Sequence, residues 1–90
     1  MLNKYGIKIK KYLQEEYPVR YEELIMNGTI EEKILEKQQE IMEYKEKITE
    51  QLKQQNPLQN EQDYLKKVQY ERQIQMQVEE MLQEMIYQPL

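Results

Sequence analysis

Apolar side chains recur at intervals of three and four residues in two long segments of the chain. The first segment carries a stripe made of Ile30, Ile34, Ile41, Ile48 and Leu52. The second carries a stripe made of Ile74, Val78, Met81, Leu82 and Met85. Side chains at this spacing lie on one face of an α-helix. The pattern predicts long helices over residues 30–55 and 57–87, and we interpret the second stripe as a seam of the core or of a dimer.

Helix-breaking residues divide the chain into four segments. Pro18, Gly28 and Pro57 mark the main breaks, and shorter apolar patterns predict helices over residues 3–16 and 18–27. We expect Gly28 to end the second helix in the left-handed conformation. Two long helices joined by a short, proline-marked turn are typical of an antiparallel hairpin. The sequence therefore predicts an all-α fold, in which one 90-residue domain forms a long antiparallel helical hairpin preceded by two short helices.

Capping signals predict where the two long helices begin. Thr29 and Glu32 have the spacing of a capping box, in which the threonine hydroxyl accepts a hydrogen bond from a backbone N–H in the first turn. Asn56 followed by Pro57 is typical of an N-cap with proline at the first helical position, and Asn60 is a second possible cap.

The core of a single chain is expected to be thin. Hydrophobic residues make up 39% of the chain, and it has no Phe, Trp or Ala. A chain of this size buries only about 60–65% of the surface that its unfolded form exposes. We therefore expect a second copy or a protein partner to complete the packing of the helices.

Charge is divided unevenly along the chain. The net charge is −4, from 13 basic and 17 acidic residues. Four lysines lie within the first eleven residues, which contain no acid: Lys4, Lys8, Lys10 and Lys11. The remainder is acidic, which favours a protein partner with a basic surface over nucleic acid. In the alternative, the lysines contact nucleic-acid phosphates, and Tyr5 and Tyr12 are available for stacking on bases.

Several kinds of chemistry lack the side chains they need. The chain has no His, Cys or Ser, and no glycine-rich loop that could hold a phosphate. We therefore expect no enzymatic activity and no cofactor. It also has no apolar run long enough to cross a membrane and no secretory signal, so we expect a cytoplasmic location.

Five glutamates recur at intervals of three or four residues along the third predicted helix: Glu36, Glu40, Glu43, Glu46 and Glu50. Such rows hold Mg²⁺ in helical nucleotide pyrophosphatases, but that pattern needs a second acidic pair, and Asn60 stands three residues before Asp63. Lysines are interleaved with the row, which is typical of an ion-paired, solvent-exposed helix face. We interpret the five glutamates, together with Tyr44, as the candidate surface for a protein partner.

Three segments resemble, in the same order, sequences of the TnpV-like transposon-encoded proteins. They read YEELIMNGTI over residues 21–30, ITEQLK over 48–53 and VEEMLQEMIY over 78–87. The tryptophan and the several arginines that the family has before its C-terminal segment are missing here, since residues 70–77 contain one arginine and no tryptophan. The resemblance implies a small helical protein carried on a mobile genetic element.

These features together favour a non-enzymatic interaction protein of a phage or mobile element. We expect it to bind, and to regulate or inhibit, a protein machine that handles nucleic acid, for example a CRISPR nuclease. The alternative is a DNA-binding accessory protein for transposition or excision that works through the N-terminal lysines. A Mg²⁺ enzyme built on the glutamate row is a third hypothesis.

Overall fold

Four α-helices make up the computed structural model, which describes residues 1–58, 63–88 and 90. They are α1 (Lys4–Glu16), α2 (Pro18–Met26), α3 (Ile30–Gln55) and α4 (Tyr64–Ile86). None of the described residues lies in a β-strand. The predicted all-α fold, with two short helices before two long ones, is therefore confirmed.

Helices α3 and α4 run in opposite directions along each other. Lys37, near the start of α3, lies 3.5 Å from the side-chain oxygen of Gln88, just beyond the end of α4. At the other end, Lys53 pairs with Glu71 at 3.1 Å. Helix α1 packs against both long helices, and α2 packs on α1 and α3. The result is an elongated molecule of 55 × 20 × 19 Å, and within its described part no helix has the length and apolarity to cross a bilayer.

All four helices contribute to one apolar core. Its buried members among the described residues are Tyr5, Ile9, Leu13, Leu24, Ile34, Ile41, Ile48, Ile74, Val78, Leu82 and Ile86. Helix α2 supplies only Leu24, whereas α3 supplies a residue every seven positions. Removal of this apolar surface from water is the main favourable contribution to folding.

The seam predicted on α4 is divided between the core and the surface. Ile74, Val78 and Leu82 are buried, and Met85 packs partly buried at the edge of the core. Met81 is 42% exposed, so it lies outside the core, and its place in a dimer seam stays a prediction. A residue three positions after Val78 points about 60° to one side of it, which turns the Met81 side chain away from the core.

Gly28 ends α2 as predicted. Its φ of +70° lies in the left-handed region, and its N–H donates to the carbonyl of Ile25 at 3.0 Å. The N–H of Thr29 donates to the carbonyl of Leu24, also at 3.0 Å, which completes a Schellman motif. The predicted capping box is wrong, because the Thr29 side chain makes no capping hydrogen bond. With φ −111° and ψ 1°, Thr29 lacks the extended backbone from which an N-cap side chain reaches the first turn.

Helix α4 begins at Tyr64 rather than at the predicted Pro57. Asn56 caps the end of α3 instead, because its N–H donates to the carbonyl of Leu52 at 3.0 Å. The N-cap of α4 is Asp63, whose side chain accepts hydrogen bonds from the next helical N–H groups at 3.1 and 3.3 Å. The other predicted cap, Asn60, lies outside the described residues.

Candidate protein-interaction surface

The outward face of α3 carries a continuous row of acidic and amide side chains. This acidic stripe consists of six exposed residues: Glu32, Glu36, Gln39, Glu43, Glu46 and Glu50. Their spacing alternates between four and three residues, so they lie on the side of α3 opposite the buried Ile34, Ile41 and Ile48. At a rise of 1.5 Å per residue the stripe is about 27 Å long.

The carboxylates of the acidic stripe form no ion pair in the described part of the chain. No lysine or arginine nitrogen there lies within 4.0 Å of them. The contact made within the stripe is a hydrogen bond of 3.2 Å from the Gln39 amide to Glu43. The carboxylates are strung along the helix, and no three acidic side chains among the described residues converge on a possible metal site. The stripe presents separate negative charges to solvent.

Apolar side chains flank the acidic stripe on one side. Leu35 and Met42, one heptad apart, are 36% and 37% exposed. An open groove along the first half of the stripe is lined by Leu35 together with Glu32 and Glu36. A partner that follows α3 would therefore meet apolar surface beside the row of negative charges.

Two of the predicted partner-binding residues lie outside the acidic stripe. Glu40 and Tyr44, four residues apart, share the neighbouring side of α3. The Glu40 carboxylate is 4.0 Å from the ammonium group of Lys37, and Tyr44 is 37% exposed. The structure therefore joins Glu36, Glu43, Glu46 and Glu50, and adds Glu32 and Gln39, which the sequence interpretation missed although their helical spacing could have identified them.

Three of the four N-terminal lysines are exposed around α1 and have no carboxylate within 4.0 Å in the described part of the chain: Lys8, Lys10 and Lys11. They surround Ile7, which is 58% exposed. Lys4 differs from them, because its ammonium group lies 3.2 Å from Oε1 of Glu79. The predicted basic surface therefore loses one of its charges to an ion pair.

The two tyrosines predicted to stack on bases both take part in packing within the chain. Tyr5 is 1% exposed and belongs to the core, so this expectation is wrong for Tyr5. The ring of Tyr12 packs edge-on against Tyr17 and Tyr87, with centroid distances of 5.7 and 5.4 Å. Aromatic pairs of this geometry stabilise a fold, so the Tyr12 ring contributes to packing within the chain.

A polar cluster that the sequence interpretation missed joins α1, α3 and α4. This Glu79 cluster consists of Lys4, Tyr5, Lys45 and Glu79. The Tyr5 hydroxyl donates to Oε1 of Glu79 at 2.7 Å, and the ammonium groups of Lys4 and Lys45 lie 3.2 and 3.6 Å from the same oxygen. The two ammonium groups also lie 5.0 and 5.3 Å from the centroid of the Tyr5 ring, within the range of cation–π attraction.

The contacts in the Glu79 cluster shift the pKa of the Glu79 carboxyl and the pKa of the Tyr5 hydroxyl in opposite directions. Burial alone would raise the pKa of the Glu79 carboxyl, but the hydrogen bonds from Tyr5 and Lys4 and the charges of Lys4 and Lys45 outweigh it and lower the pKa. Burial, assisted by the hydrogen bond to the Glu79 carboxylate, raises the pKa of Tyr5. The arrangement favours an ionised carboxylate held by a protonated phenol, and its role is to hold three helices together.

No curated protein and no solved structure matches the chain. The family model of the transposon-encoded protein TnpV matches residues 1–86. This match covers nearly the whole chain, including two of the three segments whose sequence resembles that family and all but the last residue of the third. The chain therefore belongs to the family of transposon-encoded TnpV proteins.

Proposed function

We propose that the chain is a non-enzymatic interaction protein of a transposon, and that it binds a basic protein surface through the acidic stripe of α3. The observation that carries the proposal is the stripe itself. It is exposed along about 27 Å of helix, and its carboxylates form no ion pair in the described part of the chain. Unpaired charges of one sign on a rigid helix attract a partner of opposite charge and set its orientation.

The proposed partner is a protein that handles nucleic acid. Surfaces that bind a phosphate backbone are rich in lysine and arginine, and they are the most basic surfaces that an acidic helix can meet. Occupation of such a surface by the acidic stripe would compete with nucleic acid and so regulate the partner. The transposase of the same element is one such partner, and the CRISPR nuclease expected from the sequence is another.

The flanking apolar residues add to this proposal. Leu35 and Met42 would bury apolar area beside the charged contacts, which supplies affinity that salt does not screen. We therefore propose an amphipathic partner surface, basic along its centre and apolar along one edge.

Binding of the purified chain to a transposase and to a CRISPR nuclease, measured at several salt concentrations, tests the proposal. We expect affinity that falls with salt and is lost when Glu36, Glu43 and Glu50 are changed to lysine. The matched control changes Glu16, Glu22 and Glu84 to lysine, because these residues are exposed on other helices and the net charge changes equally. Binding to neither protein, or equal binding by the two triple variants, would contradict the proposal.

The second candidate function is DNA binding by the exposed lysines of α1, as in an accessory protein for transposition. It is supported by the exposure of Lys8, Lys10 and Lys11 around Ile7. A mobility-shift assay with duplex DNA at low salt should then show a complex that the change of these three lysines to glutamate abolishes. An assay in which the unchanged protein shifts no DNA excludes this function.

A further inference from the structure

The outward face of α4 is arranged symmetrically about Met76. Six exposed residues of α4 and the C-cap residue Tyr87 form this outer α4 stripe: Leu65, Gln69, Arg72, Met76, Glu80, Gln83 and Tyr87. Counted from Met76, the intervals are four, three and four residues in both directions along the chain. The two halves of the stripe therefore repeat the same spacing at the same distances from its centre, over about 33 Å at 1.5 Å per residue.

Residues at equal distances from Met76 are also chemically complementary. Arg72 corresponds to Glu80, a positive charge to a negative one. The next pair consists of two glutamines, Gln69 and Gln83, and the outermost pair consists of two apolar side chains, Leu65 and Tyr87. A helix face with this symmetry is complementary to a second copy of itself laid down antiparallel, because a twofold axis through Met76 brings each residue opposite its counterpart.

The side chains of the outer α4 stripe are available for such a contact. Leu65 and Met76 are 71% and 66% exposed, and Tyr87, which also packs against Tyr12, is 49% exposed. Within the described residues, Arg72 and Glu80 have no ion-pair partner. An open groove runs beside Met76 and is lined by Arg72, Glu80 and Gln83 among others. Methionine, tyrosine and arginine are side chains in which protein interfaces are enriched.

The chain exposes enough surface to bury one such face against a second copy. The chain exposes 6991 Å², whereas a folded monomer of 11.2 kDa is expected to expose roughly 5,700 Å². Part of the excess of roughly 1,300 Å² follows from the elongated shape of 55 × 20 × 19 Å, and it leaves room for the roughly 800 Å² that each partner contributes to an interface of standard size. The predicted seam of Ile74, Val78 and Leu82 is used inside the chain, so the outer face of α4 is the side of this helix left for a partner.

We infer that the outer α4 stripe is a homodimer interface in which two copies of α4 pack antiparallel about Met76. Arg72 of each copy then faces Glu80 of the other, so the interface contains two symmetric ion pairs around a central methionine contact. The acidic stripe lies on α3 and takes no part in this contact. The inference therefore stands independently of the proposed function, and the dimer would present two acidic stripes.

This inference is tested by sedimentation of the full chain and of its charge-reversal variants over a range of protein concentrations. We expect a monomer–dimer equilibrium that Arg72→Glu and Glu80→Arg each weaken about tenfold or more, because every change occurs twice in a symmetric interface. The double change Arg72→Glu with Glu80→Arg should restore dimerisation, because the two charges exchange places. Lys47→Glu on α3 is the control and should leave the equilibrium unchanged. A chain that stays monomeric, or a double variant no better than the single ones, would overturn the inference.

Cross-linking provides a second readout, since the chain has no cysteine of its own. Met76→Cys places a thiol at the twofold axis, and we expect rapid formation of a disulfide-linked dimer under mild oxidation. Lys47→Cys, on an exposed face of α3, should cross-link more slowly by at least tenfold. Both positions are exposed, so circular dichroism should show unchanged helix content. Equal cross-linking rates for the two variants would contradict an axis at Met76.

Discussion

The hydroxyl group of Tyr5 donates a hydrogen bond of 2.7 Å to Oε1 of Glu79, across 74 residues of sequence. The ring of Tyr5 is buried in the core, so the hydroxyl reaches Glu79 at the edge of the apolar region. The same carboxylate oxygen forms ion pairs with the ammonium groups of Lys4 from α1 and Lys45 from α3. One carboxylate of α4 therefore contacts both helices that carry the candidate binding surfaces.

Removal of the Tyr5 hydroxyl is expected to destabilise the fold without loss of core packing. Tyr5→Phe keeps the buried ring, and we expect the free energy of unfolding to fall by about 1–2 kcal/mol, as for a hydrogen bond to a charged group. A double-mutant cycle with Glu79→Gln, followed by urea denaturation, should give a coupling energy of about 1 kcal/mol. Tyr44→Phe is the matched control, since Tyr44 is half-exposed and lies outside the Glu79 cluster. A coupling energy of zero would show that the 2.7 Å contact contributes nothing.

The Glu79 carboxylate should influence how the free energy of unfolding varies with pH. Because the pKa of Glu79 is lower in the folded chain than its ordinary value of 4.5, the ionised carboxylate stabilises the fold at neutral pH. That contribution is complete above the unfolded pKa and is lost as the pH falls through the lower folded pKa. Unfolding free energies measured by urea denaturation from neutral pH downward should therefore decline more steeply for the unchanged protein than for Glu79→Gln. Glu84→Gln should follow the unchanged protein, and parallel curves for all three would contradict the assigned role of Glu79.

The local sequence predicts the helices and their buried faces better than it predicts the contacts between them. The seven-residue spacing of Ile34, Ile41 and Ile48 is sufficient to predict α3 and its buried face, because seven residues make about two helical turns and so return to the same side of the helix. The Glu79 cluster could not be predicted in this way. Lys4 and Glu79 are separated by 75 residues, and their pairing depends on how α1 lies across the hairpin.

The start of α4 shows a second limit of local reasoning. Asn56 and Asp63 are both good N-cap residues, and Pro57 strengthens the first of them. The adjacent sequence therefore favours Asn56, but the structure uses Asp63. The candidate surface was predicted only in part for a different reason. The sequence interpretation grouped Glu40 with Glu36 and Glu43, whereas Glu40 lies beside Lys37 of the same helix, on the neighbouring side of α3.

The two long helices should respond differently to loss of the side chain at their N-caps. Asp63→Ala removes an acceptor for two backbone N–H groups, so we expect unfolding free energy to fall by about 1 kcal/mol. Thr29→Ala should change it by much less, because the Thr29 side chain makes no capping hydrogen bond. Asp63→Asn, which keeps an acceptor oxygen, is the control and should retain most of the stability. Thermal denaturation of the three variants measures the difference, and a Thr29→Ala change as costly as Asp63→Ala would contradict the observed caps.

At the turn between α2 and α3, the free-energy cost of a left-handed backbone can be measured separately from any steric clash. Gly28 has a φ of +70°, and a Cβ added there meets no atom within 4 Å. Gly28→Ala should therefore destabilise the fold by about 1–2 kcal/mol through backbone strain, with no contribution from a steric clash. Gly28→Asn should cost less, because asparagine tolerates this conformation better than alanine does. Urea denaturation of both variants at one protein concentration tests the expectation. An alanine variant as stable as the unchanged chain would mean that the Schellman motif does not constrain this turn.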